Sequence, residues 1–134
     1  MTSQIIYKGD LRTTATHLQS GTVIETDAPT DNQGKGERFS PTDLVATALG
    51  TCMITTMAIK ARTMNIELDG ARVDVTKIMV SDPRRVGKIV AHMYMPAGLH
   101  VDEKTKAILE RTARTCPVER SLHPDVALDI AFYW

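Results

Sequence analysis

The sequence predicts an α+β fold, and three of its features indicate this class. Strand-like segments cluster in groups, whereas an α/β sequence alternates single strands with helices. An uncharged segment from Leu44 to Ile59 is apolar on most faces, which is typical of a central helix. The last segment, from Val126 to Trp134, alternates large apolar residues with smaller or polar ones, as a half-buried strand does. The predicted order is βββ-α-ββ-αα-β in a single domain of residues 1–134, without an internal repeat or a linker.

The first residues predict three short strands. Residues 5–8 and 11–17 flank a Gly9-Asp10 turn, which is typical of a hairpin. The β-branched residues 22–26 form a third strand. Residues 28–37 are rich in Pro, Asp, Asn, Gly and Lys, and they predict a mobile loop.

The central helix has a clear start signal. Ser40 can cap it, Pro41 suits the first helical position, and Asp43 follows Ser40 by three residues as in a capping box. We expect the helix to run to about Thr63 and to be covered on nearly all sides.

Two strands are predicted to follow the central helix. The first covers residues 66–80 with an irregularity at Gly70, and residues 81–84 make the turn. The alternation of the return strand directs one set of side chains to the core, namely Ile89, Ala91, Met93 and Met95.

Two helices then precede the last strand. Asp102 is the expected cap of the first, and Pro117 ends it and begins a short helix that reaches about Leu122. The predicted buried stripe of the first of these helices is Thr105, Ile108, Leu109, Thr112 and Cys116.

Composition excludes several classes of function. Lys+Arg and Asp+Glu balance at 16 each, which removes the electrostatic case for nucleic acid or an anionic membrane as partner. The segment from Leu44 to Ile59 is shorter than the roughly 20 apolar residues of a membrane span.

Residues 1–10 contain no apolar targeting segment, so a cytoplasmic location is expected. The four histidines show no ligand spacing and the two cysteines form no CxxC pair, so no metal is expected.

The two cysteines are the candidate reactive groups. Cys52 lies in the middle of the apolar helix, where a packed, inert thiol is as plausible as a nucleophile. Because the thiolate is the nucleophile, a reactive Cys52 needs a cationic partner. Arg12, near the first hairpin, and Arg38, before the capped helix, are the candidates, although either can equally be a solvated surface charge. Cys116 precedes Pro117, and at a helix cap its sulfur would face free N–H groups that favour a thiolate.

The segments around these cysteines resemble a known family. Residues 40–53, Ser-Pro-Thr-Asp-Leu-Val-Ala-Thr-Ala-Leu-Gly-Thr-Cys-Met, are similar to the central-helix motif of the OsmC/Ohr superfamily, the osmotically induced and organic hydroperoxide resistance proteins. Cys116-Pro117-Val118, followed by a short helix and a terminal strand, is similar to its second motif. The resemblance implies an intertwined homodimer in which two antiparallel β-sheets wrap around central helices, with active sites at the subunit interface.

The resemblance also implies a chemistry. Cys52 would attack a small hydroperoxide and become a sulfenic acid, and Cys116 would resolve it as a disulfide. An external dithiol, in related enzymes often lipoyl-based, would restore both thiols, so no bound cofactor is needed. An isolated monomer with an exposed apolar helix is expected to be unstable.

One position departs from the family pattern. Thr42 stands where hydroperoxide resistance proteins carry a glutamate that orients the active-site arginine, and Asp43 follows one residue later. One residue moves a side chain about 100° around a helix, so Asp43 can serve as a cap only. This departure motivates an alternative function, a non-enzymatic dimer that binds a small apolar ligand. A structural protein with two inert thiols is the third possibility.

Overall fold

The computed structural model of the chain describes residues 1–134, and its elements follow the predicted order. The strands are β1 Ser3–Gly9, β2 Arg12–His17, β3 Val23–Asp27, β4 Arg72–Val80, β5 Arg85–Tyr94 and β6 Ala127–Tyr133. The helices are α1 Pro41–Thr63, α2 Glu103–Ala113 and α3 Pro117–Ser121. Strands and helices are segregated into two sheets and three helices, which confirms the α+β class. The chain forms two compact units, Met1–Val45 and Ala46–Trp134, and the boundary lies within α1.

The unit Met1–Val45 contains an antiparallel sheet in the order β1-β2-β3. The hairpin turn lies at Asp10 and Leu11, one residue later than predicted, and both residues have positive φ. A short 3-10 helix, Thr30–Asn32, occupies part of the segment that the sequence predicts as loop. Consecutive large apolar side chains of β1 are exposed, so neither face of this strand is covered within the chain: Ile5 at 66%, Ile6 at 53% and Tyr7 at 64%.

The unit Ala46–Trp134 contains a mixed sheet in the order β4-β5-β6. β4 and β5 are antiparallel, but β6 lies parallel to β5, with Ala91 opposite Ile130. The expectation of two antiparallel sheets is therefore wrong for this second sheet. The physical reason is that α2 and α3 carry the chain back across the sheet before β6, so that β6 runs in the direction of β5.

The segment between α1 and β4 is not a strand, in contrast to the prediction that the strand begins at residue 66. Asn65, with φ of 55°, ends α1 in a left-handed conformation, and Ile66 N donates to Ala61 O at 3.0 Å. Gly70, with φ of 86°, forms part of a second turn, and β4 begins only at Arg72. From there the predicted alternation of side chains is present.

The core of this unit lies between α1 and the sheet. The inner face of β5 is buried as predicted: Ile89, Ala91 and Met93 are fully buried and Met95 is 9% exposed. The face of α1 that packs in the same cluster comprises Leu49, Met53 and Met57, all fully buried. With aromatic residues at only 4%, methionine and the aliphatic residues fill this interior.

α1 is a core helix, although by length and composition alone it could cross a membrane. Its buried residues recur at helical spacing, from Ala46 to Ala61, along one face. The opposite face is less covered than predicted, since Val45 is 40% and Ile59 is 63% exposed.

α2 is shorter than predicted and buries a narrower stripe. It ends at Ala113, and only Leu109 and Ala113 are buried along it. Thr105, Ile108 and Thr112 are partly covered, and Cys116 lies beyond the helix. The predicted stripe assumed an uninterrupted helix up to Pro117, whereas the chain leaves the helix three residues earlier.

We predict that Gly50→Ala destabilises the protein. In an exposed helix this change adds about 1 kcal/mol of stability. At Gly50 a Cβ would lie 2.7 Å from Val75 Cγ2 and 3.3 Å from Val73 Cγ1, and β-branched side chains adjust poorly. Overpacking of about 1–3 kcal/mol should outweigh the helix gain, and urea denaturation measures the difference. Thr55→Ala, at an exposed position of the same helix, is the control. A Gly50→Ala variant as stable as this control would contradict the close packing.

Candidate active site

Cys52 and Cys116 come together although 63 other residues separate them in the chain. Cys52 lies on α1 and is partly exposed, whereas Cys116 is fully buried in the core cluster. Cys52 packs against the core cluster that contains Cys116, its thiol contributes to the raised pKa of Cys116, and both are free thiols. A partly exposed cysteine therefore lies next to a fully buried one.

Cys116 caps the N-terminus of α3, as the Cys-Pro sequence predicts. Its backbone is extended, Pro117 opens the helix, and Glu119 N donates to Cys116 Sγ at 3.4 Å. This N–H favours the thiolate, but burial raises the pKa of Cys116 above its ordinary value and outweighs the hydrogen bond. The cap therefore acts in the predicted direction, but the larger effect of burial leaves the pKa of Cys116 raised.

Glu119 is a titratable group that the sequence analysis missed. Its Oε2 atom is buried without a hydrogen-bond partner. Burial raises the pKa of Glu119, and the positive charges of Arg114 and Arg120 oppose this effect. The spacing Cys-Pro-Val-Glu, with a glutamate three residues after a helix cap, is the signal that could have drawn attention to it.

Arg12 is held by two carboxylates in the unit Met1–Val45. Its Nε donates to Asp27 Oδ1 at 2.7 Å, and its Nη2 donates to Asp27 Oδ2 at 2.8 Å and to Glu37 Oε2 at 2.8 Å. The Asp27 side chain is only 1% exposed. The bidentate pair with Arg12 lowers the pKa of Asp27, and the same bonds raise the pKa of Arg12. Arg12 therefore has orienting carboxylates, although Thr42 replaces the usual glutamate.

Arg38 makes a more exposed pair. Its Nε donates to Glu25 Oε2 at 2.8 Å, and its Nη1 donates to the carbonyl oxygen of Glu37 at 3.0 Å. The side chains of Arg38 and Glu25 are 46% and 38% exposed. Water screens such a pair, so it holds the arginine less firmly than the bidentate contact holds Arg12.

Asp43 forms the predicted capping box with Ser40. Ser40 N donates to Asp43 Oδ2 at 2.8 Å, and Asp43 N donates to Ser40 Oγ at 3.1 Å. These two bonds satisfy backbone N–H groups at the start of α1. Asp43, Arg12 and Arg38 all belong to the unit Met1–Val45, whereas Cys52 and Cys116 belong to the unit Ala46–Trp134.

No three His, Cys, Asp or Glu side chains meet in a group that could hold a metal ion. The second unit also contains two neighbouring cysteines and the buried carboxyl oxygen of Glu119 near the start of α3. This set can exchange electrons by thiol oxidation and can move protons.

The chain is thus a small α+β protein with two neighbouring cysteines. Comparison with known proteins identifies its family. A family model described as OsmC-like protein matches residues 34–131. The chain belongs to the OsmC-like protein family. No curated protein matches the sequence.

Solved structures agree with this assignment. A candidate osmotic stress induced and detoxification response protein from Psychrobacter arcticus 273-4 is 50% identical over 99% of this chain and 96% of that chain, with a TM-score of 0.94. The organic hydroperoxide resistance protein OsmC from Legionella pneumophila is 14% identical over 100% and 98%, with a TM-score of 0.76. The organic hydroperoxide resistance protein OhrB of Bacillus subtilis is 16% identical over 98% and 98%, with a TM-score of 0.68. The last two show the fold alone.

We predict that Asp27→Asn lowers the thermal unfolding midpoint at pH 7. Because the folded protein lowers the pKa of Asp27 below 3.8, its pair with Arg12 stabilises the fold at higher pH. This contribution is lost as the pH falls through the lowered pKa. The midpoint difference between wild type and variant should therefore shrink below about pH 4. Asp10→Asn, which changes an aspartate side chain that is 85% exposed, is the control. A difference that stays constant over the whole pH range would contradict this assignment.

Proposed function

We propose that the chain is a thiol-dependent peroxidase that reduces organic hydroperoxides, with Cys52 as the attacking thiol and Cys116 as the resolving thiol. The observation that carries the proposal is the contact between a partly exposed and a fully buried cysteine. A substrate can reach the first, and the second is protected from direct oxidation. Membership of the OsmC-like family supports the same chemistry.

The proposed cycle has three balanced steps. The Cys52 thiolate attacks the terminal oxygen of ROOH, the O–O bond breaks, and ROH leaves after taking up a proton while Cys52 becomes a sulfenic acid. Cys116 then attacks the Cys52 sulfur, which forms a disulfide and releases water. An external dithiol reduces this disulfide through exchange and becomes a disulfide itself. A lipoyl group is one such dithiol, and no bound cofactor enters the cycle.

Arg12 and Arg38 are the two candidates for the positive charge that favours the Cys52 thiolate. A guanidinium stays charged at every relevant pH. Arg12 is the more firmly held of the two, since it makes a bidentate bond to a buried carboxylate. In this proposal Asp43 supports the site only by capping α1.

The functional form is proposed to be a cytoplasmic homodimer. The family to which the chain belongs implies a homodimer. The exposed apolar residues of β1 and of α1 support a partner that covers them, since Tyr7 is 64% and Ile59 is 63% exposed. Free cysteines fit a reducing compartment.

We expect cumene hydroperoxide to be turned over by the wild type with a dithiol reductant, and Cys52→Ser to abolish this turnover. Cys116→Ser should still react once, because the attacking thiol remains, and should accumulate a sulfenic acid that a dimedone reagent traps. Hydrogen peroxide serves as the comparison substrate. Absence of turnover by a folded wild type with either peroxide would contradict the proposal. The alternative small-ligand-binding dimer would then be the better function.

We further expect the thermal unfolding midpoint to rise with protein concentration. In a dimer whose separated chains are unstable, association contributes to stability by mass action. Calorimetry over a hundredfold range of concentration tests this, with light scattering to report the mass. A midpoint that does not move, together with a monomer mass, would contradict the homodimer.

A further inference from the structure

A cleft lies at the ends of β5 and β6, and the cycle proposed above does not use it. Its volume is about 430 Å³, which is within the usual range of small-molecule sites. Residues 94–101, Lys106 of α2 and residues 133 and 134 line the cleft, so it belongs entirely to the unit Ala46–Trp134. Neither Cys52 nor Cys116 lines it.

The direction of the strands determines where this cleft lies. β5 and β6 are parallel and their last paired residues are Tyr94 and Tyr133, so the carboxyl ends of both strands lie at the same edge of the sheet. The connection from β5 continues through α2, which contributes Lys106 to the cleft. In open sheets of parallel strands with helical crossovers, ligands bind in the crevice outside the carboxyl ends of the strands. The cleft occupies the corresponding place in this sheet.

Two tyrosines and a tryptophan line the cleft. The rings of Tyr94 and Tyr133 stack, with their centroids 4.7 Å apart and an angle of 11° between their planes. The indole N–H of Trp134 donates to Glu110 Oε1 at 2.8 Å, which fixes the orientation of this ring. Aromatic side chains attract the ring of a ligand through stacked or edge-to-face contacts. These walls are therefore suited to a flat, apolar ligand body.

Lys106 supplies a positive charge beside these rings. Its side chain is only 26% exposed, and its Nζ atom lies 5.9 Å from the centre of the Trp134 ring. Nζ pairs with Glu103 Oε1 at 2.8 Å, but the Glu103 side chain is 89% exposed, so water screens this pair and it exchanges at little cost. No Asp or Glu side chain lines the cleft, and His100 is its other basic residue. The charge of its lining side chains thus favours an anion.

We propose that this cleft binds a small aromatic carboxylate. The carboxylate of the ligand takes the place of Glu103 at Lys106 Nζ, and its ring packs against the tyrosine pair and Trp134. A neutral aromatic compound has no partner for the ammonium group, and a small aliphatic acid has no ring for the aromatic walls. The site takes a ligand that has both. It does not depend on the proposed peroxidase, because no thiol takes part in binding.

The test uses the fluorescence of Trp134, which is the only tryptophan of the chain and therefore reports on the cleft. The full-length protein in its native assembly is titrated with benzoate at neutral pH and constant ionic strength. Benzyl alcohol is the matched ligand without a charge, and acetate is the matched ligand without a ring. Benzoate should change the emission saturably at millimolar concentration. Each of the other two should bind at least about tenfold more weakly, because it lacks the charge-assisted bond or the ring contacts.

Lys106→Gln should weaken the binding of benzoate about tenfold or more and leave that of benzyl alcohol unchanged. Lys106→Arg should retain binding, which separates loss of the charge from a packing defect. Lys104→Gln, at an exposed position of the same helix, is the matched control for net charge. Glu103→Gln should strengthen benzoate binding about two- to fivefold, because it removes the competing carboxylate. Glu67→Gln, at an exposed position of the same unit, is the control for that change.

Equal affinities of Lys106→Gln and Lys104→Gln for benzoate would overturn the inference. Binding of benzyl alcohol as tight as that of benzoate would overturn it as well, since the charge would then play no part. A wild-type protein for which neither Trp134 emission nor calorimetry detects saturable binding of benzoate would also contradict it.

Discussion

The packing of α1 against the second sheet is the interaction on which the candidate site depends. Leu49, Met53 and Met57 bury one face of the helix completely. Gly50 has no Cβ, so the helix can approach β4 more closely than any other residue would permit. Cys52 lies beside this face and is therefore only partly covered. The packing that stabilises this unit therefore holds Cys52 at the edge of the core, next to Cys116.

The proposed chemistry depends on the difference in burial between the two cysteines. Cys116 receives a hydrogen bond from the start of α3, yet burial dominates and keeps it protonated. A protonated, covered thiol does not compete with Cys52 for an oxidant, and this division of labour is what a resolving cysteine requires. The same burial leaves Glu119 Oε2 without a partner.

Much of the fold could be predicted from local sequence patterns. The capping box of Ser40 and Asp43, the Cys-Pro cap at Cys116 and the alternation in β5 each depend on residues close together in the chain. The parallel pairing of β6 could not be read in this way, because strand direction depends on how α2 and α3 cross the sheet. The late start of β4 was also not predictable from local patterns. The helix end at Asn65 and the turn at Gly70 lie in a segment whose residue types also suit a strand.

The sequence identifies the residues of the candidate site, but the electrostatic environment of these residues depends on the folded chain. Both cysteines and both arginines stand out in the sequence, and resemblance to a family links the two thiols. The partners of Arg12 are 15 and 25 residues away, and only the folded chain brings Asp27 and Glu37 to its guanidinium. Whether the pKa of Cys116 is raised or lowered also depends on tertiary packing. The hydrogen bond at the helix cap lowers this pKa, and burial raises it. Glu119 escaped notice because an unpaired oxygen is visible only when every neighbour is placed.

A single-turnover experiment tests the central claim most directly. Fully reduced protein receives one equivalent of cumene hydroperoxide without reductant, and peptide mapping then locates the oxidised sulfurs. The account predicts that each peroxide consumed removes two thiols and yields a disulfide between Cys52 and Cys116 of the same chain. Both cysteines still reduced after the peroxide has been added, or a disulfide that joins two chains, would contradict it.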